Sequence, residues 1–131
     1  MDLAHLDDLV EQQDRGSEFT IKHPVTGEPM PEVILTVVGP DSNTARLARI
    51  KLSDELMAFR GKPPADELDR IEIDRLARCV IGWSVKRDGK PVEFSFTNVV
   101  RLLTDKQFVR EQVEAFSQSR VPYFMRTFSN A

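Results

Sequence analysis

Cys79-Val80-Ile81-Gly82-Trp83-Ser84-Val85-Lys86-Arg87-Asp88-Gly89-Lys90-Pro91-Val92-Glu93-Phe94-Ser95-Phe96 is the stretch on which the reading of this chain turns. Upstream of it, Ile73, Leu76, Val80 and Trp83 recur at the i, i+3, i+7, i+10 spacing of one helical face. Gly82 stands near the end of that stripe, where glycine suits a C-cap. Asp88-Gly89 is a turn dipeptide, and Pro91 disfavours helix at Lys90. Val92, Phe94 and Phe96 then alternate with Glu93 and Ser95, so a short extended piece is expected to fold back over Trp83. Ser95 or Thr97 caps a following helix that carries Val99, Leu102 and Leu103. The expected core gathers Trp83, Leu76, Val80, Phe94, Leu102, Leu103 and Val113.

Working outward, 131 residues make one domain, and a chain of that length buries about two thirds of its unfolded surface. A net charge of −3 gives no global attraction to nucleic acid or an anionic membrane. The single cysteine rules out an intramolecular disulfide and fits a reducing compartment. No apolar run approaches the roughly 20 residues of a membrane span. Met1-Asp2-Leu3-Ala4 lacks the basic start and apolar stretch of a signal peptide, so the expected location is the cytoplasm.

Residues 1–18 are acidic, with a narrow Leu3, Leu6, Leu9, Val10 stripe, and read as an arm or a short amphipathic helix. Phe19-Thr20-Ile21-Lys22 alternates, and Val33-Ile34-Leu35-Thr36-Val37-Val38 is β-branched and continuous. With the proline-rich loop between them they predict an antiparallel hairpin over 19–38, whose edge could pair with another copy. Helices are predicted at about 42–60, 66–83, 96–103 and 105–120. The first opens on Ser42, and the last on a Thr104-Asp105-Lys106-Gln107 capping box. The fold class is therefore α+β: an N-terminal antiparallel β-hairpin followed by a mainly α-helical domain of about four helices. All of 19–120 forms one domain, and 121–131 a tail.

That tail, Val121-Pro122-Tyr123-Phe124-Met125-Arg126-Thr127-Phe128-Ser129-Asn130-Ala131, contains no acid and many large apolar residues. Either it packs on its own domain or it binds another chain. The candidate protein-binding residues are accordingly Phe116, Arg120, Tyr123, Phe124, Met125 and Phe128.

Signatures of chemistry are missing. No Gly-rich phosphate loop, Gly-x-Ser-x-Gly or His-Glu-x-x-His is present. His5, His23 and Cys79 lack metal-ligand spacing, so no metal, cofactor or catalytic residue is expected. His23 reads as a turn residue and Cys79 as a small core hydrophobe. The carboxylates Asp66, Glu67, Asp69, Glu72 and Asp74 read as favourable charge at a helix start. Arg46, Arg49 and Lys51 read as a solvated face, because Asp54 and Glu55 follow and no aromatic residues interleave.

The order of several short elements carries a family resemblance. Leu76-Ala77-Arg78-Cys79-Val80-Ile81-Gly82-Trp83 is followed by Asp88-Gly89-Lys90-Pro91-Val92-Glu93-Phe94-Ser95 and by Asn98-Val99-Val100-Arg101-Leu102-Leu103. Phe108-Val109-Arg110-Glu111-Gln112-Val113, Phe116 and Arg120-Val121-Pro122-Tyr123-Phe124 complete the second half. In the first half, His23-Pro24-Val25-Thr26-Gly27-Glu28-Pro29 and Gly39-Pro40-Asp41-Ser42 follow the acidic leader. In this order the chain resembles the tail assembly chaperones of long-tailed, siphovirus-type bacteriophages and prophages, with Phe96 where that pattern has a helix-starting proline.

The resemblance implies a non-enzymatic protein of the host cell cytoplasm that is absent from the mature virion. It would bind the tape measure protein, keep it soluble, help recruit tail tube (major tail) subunits, and associate with itself. Apolar helix edges and the Tyr123–Phe128 tail would make those contacts. The alternative is a virion structural component, such as a minor tail or head–tail connector protein. A small nucleic-acid-binding protein is disfavoured by the acidic balance.

Overall fold

A computed structural model describes residues 2–124. The chain begins with a helix, α1 (Leu3–Arg15), rather than with the hairpin. Asp2 is its N-cap, accepting from the His5 N–H at 3.1 Å. β1 (Ser17–Lys22) and β2 (Pro29–Val37) follow as an antiparallel pair with Phe19 opposite Leu35. In the intervening turn, His23 Nδ1 accepts from the Val25 and Thr26 N–H groups, each at 3.2 Å, as a turn residue should. Pro29 begins β2, a position where the missing N–H does least harm to the ladder.

Next come α2 (Asn43–Met57) and α3 (Ala65–Arg78). The Ser42 hydroxyl caps α2 by accepting from the Ala45 N–H at 3.1 Å. Asp66 and Glu67 occupy the first turn of α3, Arg75 and Arg78 its last, which suits the helix dipole at both ends.

The predicted helix over 66–83 is corrected here. It stops at Arg78, and Val80–Arg87 is a strand, β3, lying antiparallel beside β2. Gly82 is therefore no C-cap: it pairs with Thr36, and Trp83 pairs with Leu35. The β-branched, aromatic run from Val80 to Val85 suits a pleated surface better than a helix. Asp88 and Gly89, at φ of 52° and 77°, make the tight turn to a two-residue β4 (Lys90–Pro91). The sheet is thus four-stranded, in the order β1-β2-β3-β4, and β2 is an inner strand.

α4 (Phe96–Asp105) is capped by Ser95, whose hydroxyl accepts from the Asn98 N–H at 3.1 Å. α5 spans Gln107–Ser117. The expected capping box does not form, because Thr104 lies inside α4 and donates its hydroxyl to the Val100 carbonyl at 2.7 Å. Residues 121–124 add a last helical turn.

One sheet face packs against the helices, with α2 on α3, α3 on α4 and α4 on α5. Leu35, Val37, Leu76, Val80, Val99, Leu103 and Val113 form the centre of the core. Leu102 and Trp83 are only half-buried at its margin. Phe94 is a correction: it is 40% exposed and meets Trp83 edge-on, at 5.8 Å between ring centroids. The return segment does cover Trp83, since the indole Nε1–H donates to the Val92 carbonyl at 2.9 Å. Cys79 is buried, and burial pushes its thiol pKa up, as expected of a core hydrophobe.

Candidate functional site: an apolar cleft with a basic rim

The candidate binding residues near the C-terminus are spread over quite different environments. Tyr123 is fully buried, and its hydroxyl donates to the Val37 carbonyl at 3.2 Å. It is a core side chain and not a contact offered to a partner. In Val121–Phe124 it is Tyr123 that serves packing, while Val121 is exposed. Phe116 stacks on Phe19 at 4.3 Å, which ties α5 to β1. Arg120 is exposed and forms a two-pronged pair with Asp41, at 2.7 and 2.9 Å. Phe124 is half-buried, and Met125 and Phe128 lie outside the described residues.

Asp41 also belongs to a polar seam at the end of α1. Gln13, 1% exposed, donates from Nε2 to Asp41 at 3.1 Å and accepts from the Asp41 N–H at 2.7 Å. Gln13's own carbonyl accepts from the N–H groups of Gly16 and Gly39. A Cβ at residue 39 would sit 2.5 Å from Gln13 Cγ, so glycine is required there for closeness of approach. Asp14 in turn accepts from the Asn43 and Thr44 N–H groups at the start of α2. The Arg120 hydrogen bond is the main influence holding the Asp41 pKa below its ordinary value, assisted by Gln13 against the opposing effect of burial.

Two clefts of about 740 Å³ each mark the surface. The first, between α3 and α5, is closed upon itself electrostatically. Arg75 pairs with Glu114 at 2.7 Å, and Arg110 with Asp69 at 2.6 Å and Glu72 at 3.8 Å. Little charge there is left over for a ligand.

The second opens between the sheet and the α4–α5 pair. Its floor combines Met30 and Val33 of β2, Trp83 and Val85 of β3, Leu102 of α4 and Phe108 of α5. All six side chains are half-buried. Most pack against the core and so are held in place while showing apolar surface. Lys86, Arg87, Arg101 and Lys106 stand at the rim with Asp105 as the only acid lining it. None of these four cations has an ion-pair partner among the described residues. A concentrated positive rim on a chain of net charge −3 is a local feature that composition hides.

Neither known protein families, nor curated proteins, nor solved structures returned a match. The cleft must therefore be read from its chemistry. Its donors are cationic and its floor apolar, which suits a segment with an apolar stripe and acidic flanks. No group of three or more His, Cys, Asp or Glu among the described residues is placed to hold a metal ion. No described helix is long and apolar enough to cross a membrane.

Sequence reasoning reached Trp83 and Leu102 but assigned both to the core interior. It missed Met30, Val85, Phe108 and the rim, whose members come from three separate stretches. The one available signal was Lys86-Arg87 beside a turn, followed by Arg101 within a helix and Lys106 just after it, in an acidic chain.

Proposed function

We propose that this protein is a tail assembly chaperone of a long-tailed bacteriophage or prophage. It acts without catalysis in the host cytoplasm, binds the tape measure protein, keeps it soluble, and helps recruit tail tube subunits before being left out of the mature particle. The order of sequence elements from His23 to Phe124 supports the family. The observation that carries the binding role is the basic-rimmed apolar cleft between the sheet and α4–α5. A long amphipathic rod without its tube exposes an apolar stripe and aggregates, and a small chaperone that covers part of that stripe in many copies prevents it. The cleft replaces the buried Tyr123 as the contact surface in this reading.

Co-expression with the tape measure protein of the same gene cluster, followed by size-exclusion chromatography with light scattering, tests it. The expected result is a soluble tape measure protein that co-elutes with several copies of this chain. An insoluble tape measure protein with this chain eluting alone would overturn the reading.

One observation favours a second reading, a structural component of the virion. β4 pairs only with Lys86 and Arg87, leaving the outer side of β3 from Val80 to Ser84 without a strand partner among the described residues. Such an edge can accept a strand from a neighbouring subunit. Mass spectrometry of purified particles separates the two, since a chaperone is absent or far below stoichiometric there.

A further inference from the structure

We infer that the cleft of one molecule receives helix α1 of a second copy, making a head-to-tail contact. α1 carries what the cleft lacks. Leu3, Leu6 and Val10 are 77%, 43% and 39% exposed, and their i, i+3, i+7 spacing places them on one face. At 100° per residue, Asp7 and Glu11 run along one margin of that stripe, Glu11 forming only a long, exposed pair with Arg15 at 3.8 Å within its own helix. Leu9 and Gln13 face inward and fasten the C-terminal half of the helix to its own domain. α1 therefore presents an exposed apolar stripe with an acidic margin on one side and its own buried face on the other.

The receiving surface is complementary in both respects. Met30, Trp83, Leu102 and Phe108 offer the apolar floor, and Arg101 and Lys106 the cations for Asp7 and Glu11. No residue of α1 lines the cleft, so the two surfaces are separate within one molecule. A contact between two different patches is heterologous, so each molecule has a free patch of either kind and association continues into rings or open arrays. The apolar, acid-free C-terminal segment matches the floor but repeats the sign of the rim, and so is the poorer occupant. This contact is argued from the two surfaces alone. Because it fills the cleft proposed as the tape measure site, α1 of a second copy and a tape measure segment compete for that cleft, the copy giving way where the tape measure protein binds.

Sedimentation velocity on the full chain, over a concentration series at low and high salt, tests the inference with two charge-reversed variants. One is Asp7→Lys with Glu11→Lys; the other is Arg101→Glu with Lys106→Glu. All four residues are exposed, and circular dichroism melting checks that each variant folds. The wild type should self-associate, more weakly at high salt. Each double variant should weaken association about tenfold or more, a loss of roughly 1.4 kcal/mol. The chain carrying all four reversals should regain it, which a merely misfolded variant would not do. A wild type that stays monomeric at hundreds of micromolar overturns the inference. So does association that neither variant disturbs, or a loss on the cleft side that the four-fold reversal fails to restore. The last result would assign the cleft to a different occupant, the C-terminal segment or another protein.

Discussion

Two polar regions of this small domain are built on opposite plans. At the seam between α1, the β2–α2 turn and the C-terminal turn, charges and amides satisfy one another. Gln13, Asp14, Asp41 and Arg120 all have named partners, and Tyr123 lies buried close by. At the cleft, four cations surround a half-buried apolar floor and have no ion-pair partner among the described residues. The first arrangement is what folding alone requires, since buried polar groups without partners are costly. The second adds nothing evident to folding and leaves binding capacity in reserve. Completeness of partnering thus distinguishes structural polar groups from available ones better than residue type does.

Substitutions can break that distinction. The largest effect should come from Tyr123→Ala, which empties a fully buried aromatic site and frees the Val37 carbonyl. A loss of about 3–5 kcal/mol is expected, read as a lowered urea midpoint. If Tyr123→Ala melted like wild type, the seam would not be part of the core. Gly39→Ala comes next, because the new methyl collides with Gln13; about 1–3 kcal/mol should be lost by the same measurement. Gln13→Ala removes the other side of that contact and should cost a similar amount, about 1–3 kcal/mol, by leaving the Asp41 N–H without its acceptor.

Arg101→Glu with Lys106→Glu should change stability by no more than about 0.5 kcal/mol, since both are surface positions without ion-pair partners. A large destabilisation would show the rim to be structural after all. The smallest effect concerns acid. Asp41 has a folded pKa below its ordinary 3.8, so its contribution is fully present above that pH and is lost as pH falls through the folded value. Partial solvent exposure of the carboxylate keeps the contribution small. Between pH 4 and pH 2, Asp41→Asn should therefore lose slightly less stability than wild type in parallel urea titrations.

How much of this was legible in the sequence depended on whether the signal was local. Ser42, Ser95 and the Asp88-Gly89 turn act within a few residues of themselves, and each does what its type suggests. β3 was misread because Ile73, Leu76, Val80 and Trp83 keep helical spacing across a boundary where the structure changes. The extended β-branched run was the better guide, and a partner strand far away in the sequence settles it: Trp83 lies opposite Leu35. Thr104 misled in a similar way, its hydroxyl being satisfied inside the preceding helix. The cleft could not be anticipated, as its floor is assembled from β2, β3, α4 and α5, and no one stretch carries more than a part of it.

Cys79 offers a consequence of a different kind. It is the chain's single cysteine, 2% exposed, and its thiol is held in the protonated, unreactive form by burial. A thiol reagent reaches it only when the junction of α3 and β3 opens, so labelling kinetics time that opening without any engineered probe. The sulfur is the molecule's built-in stopwatch. Read in the free chain and again with a partner bound, it reports whether docking at the cleft, which β3 helps to line, tightens or loosens the fold.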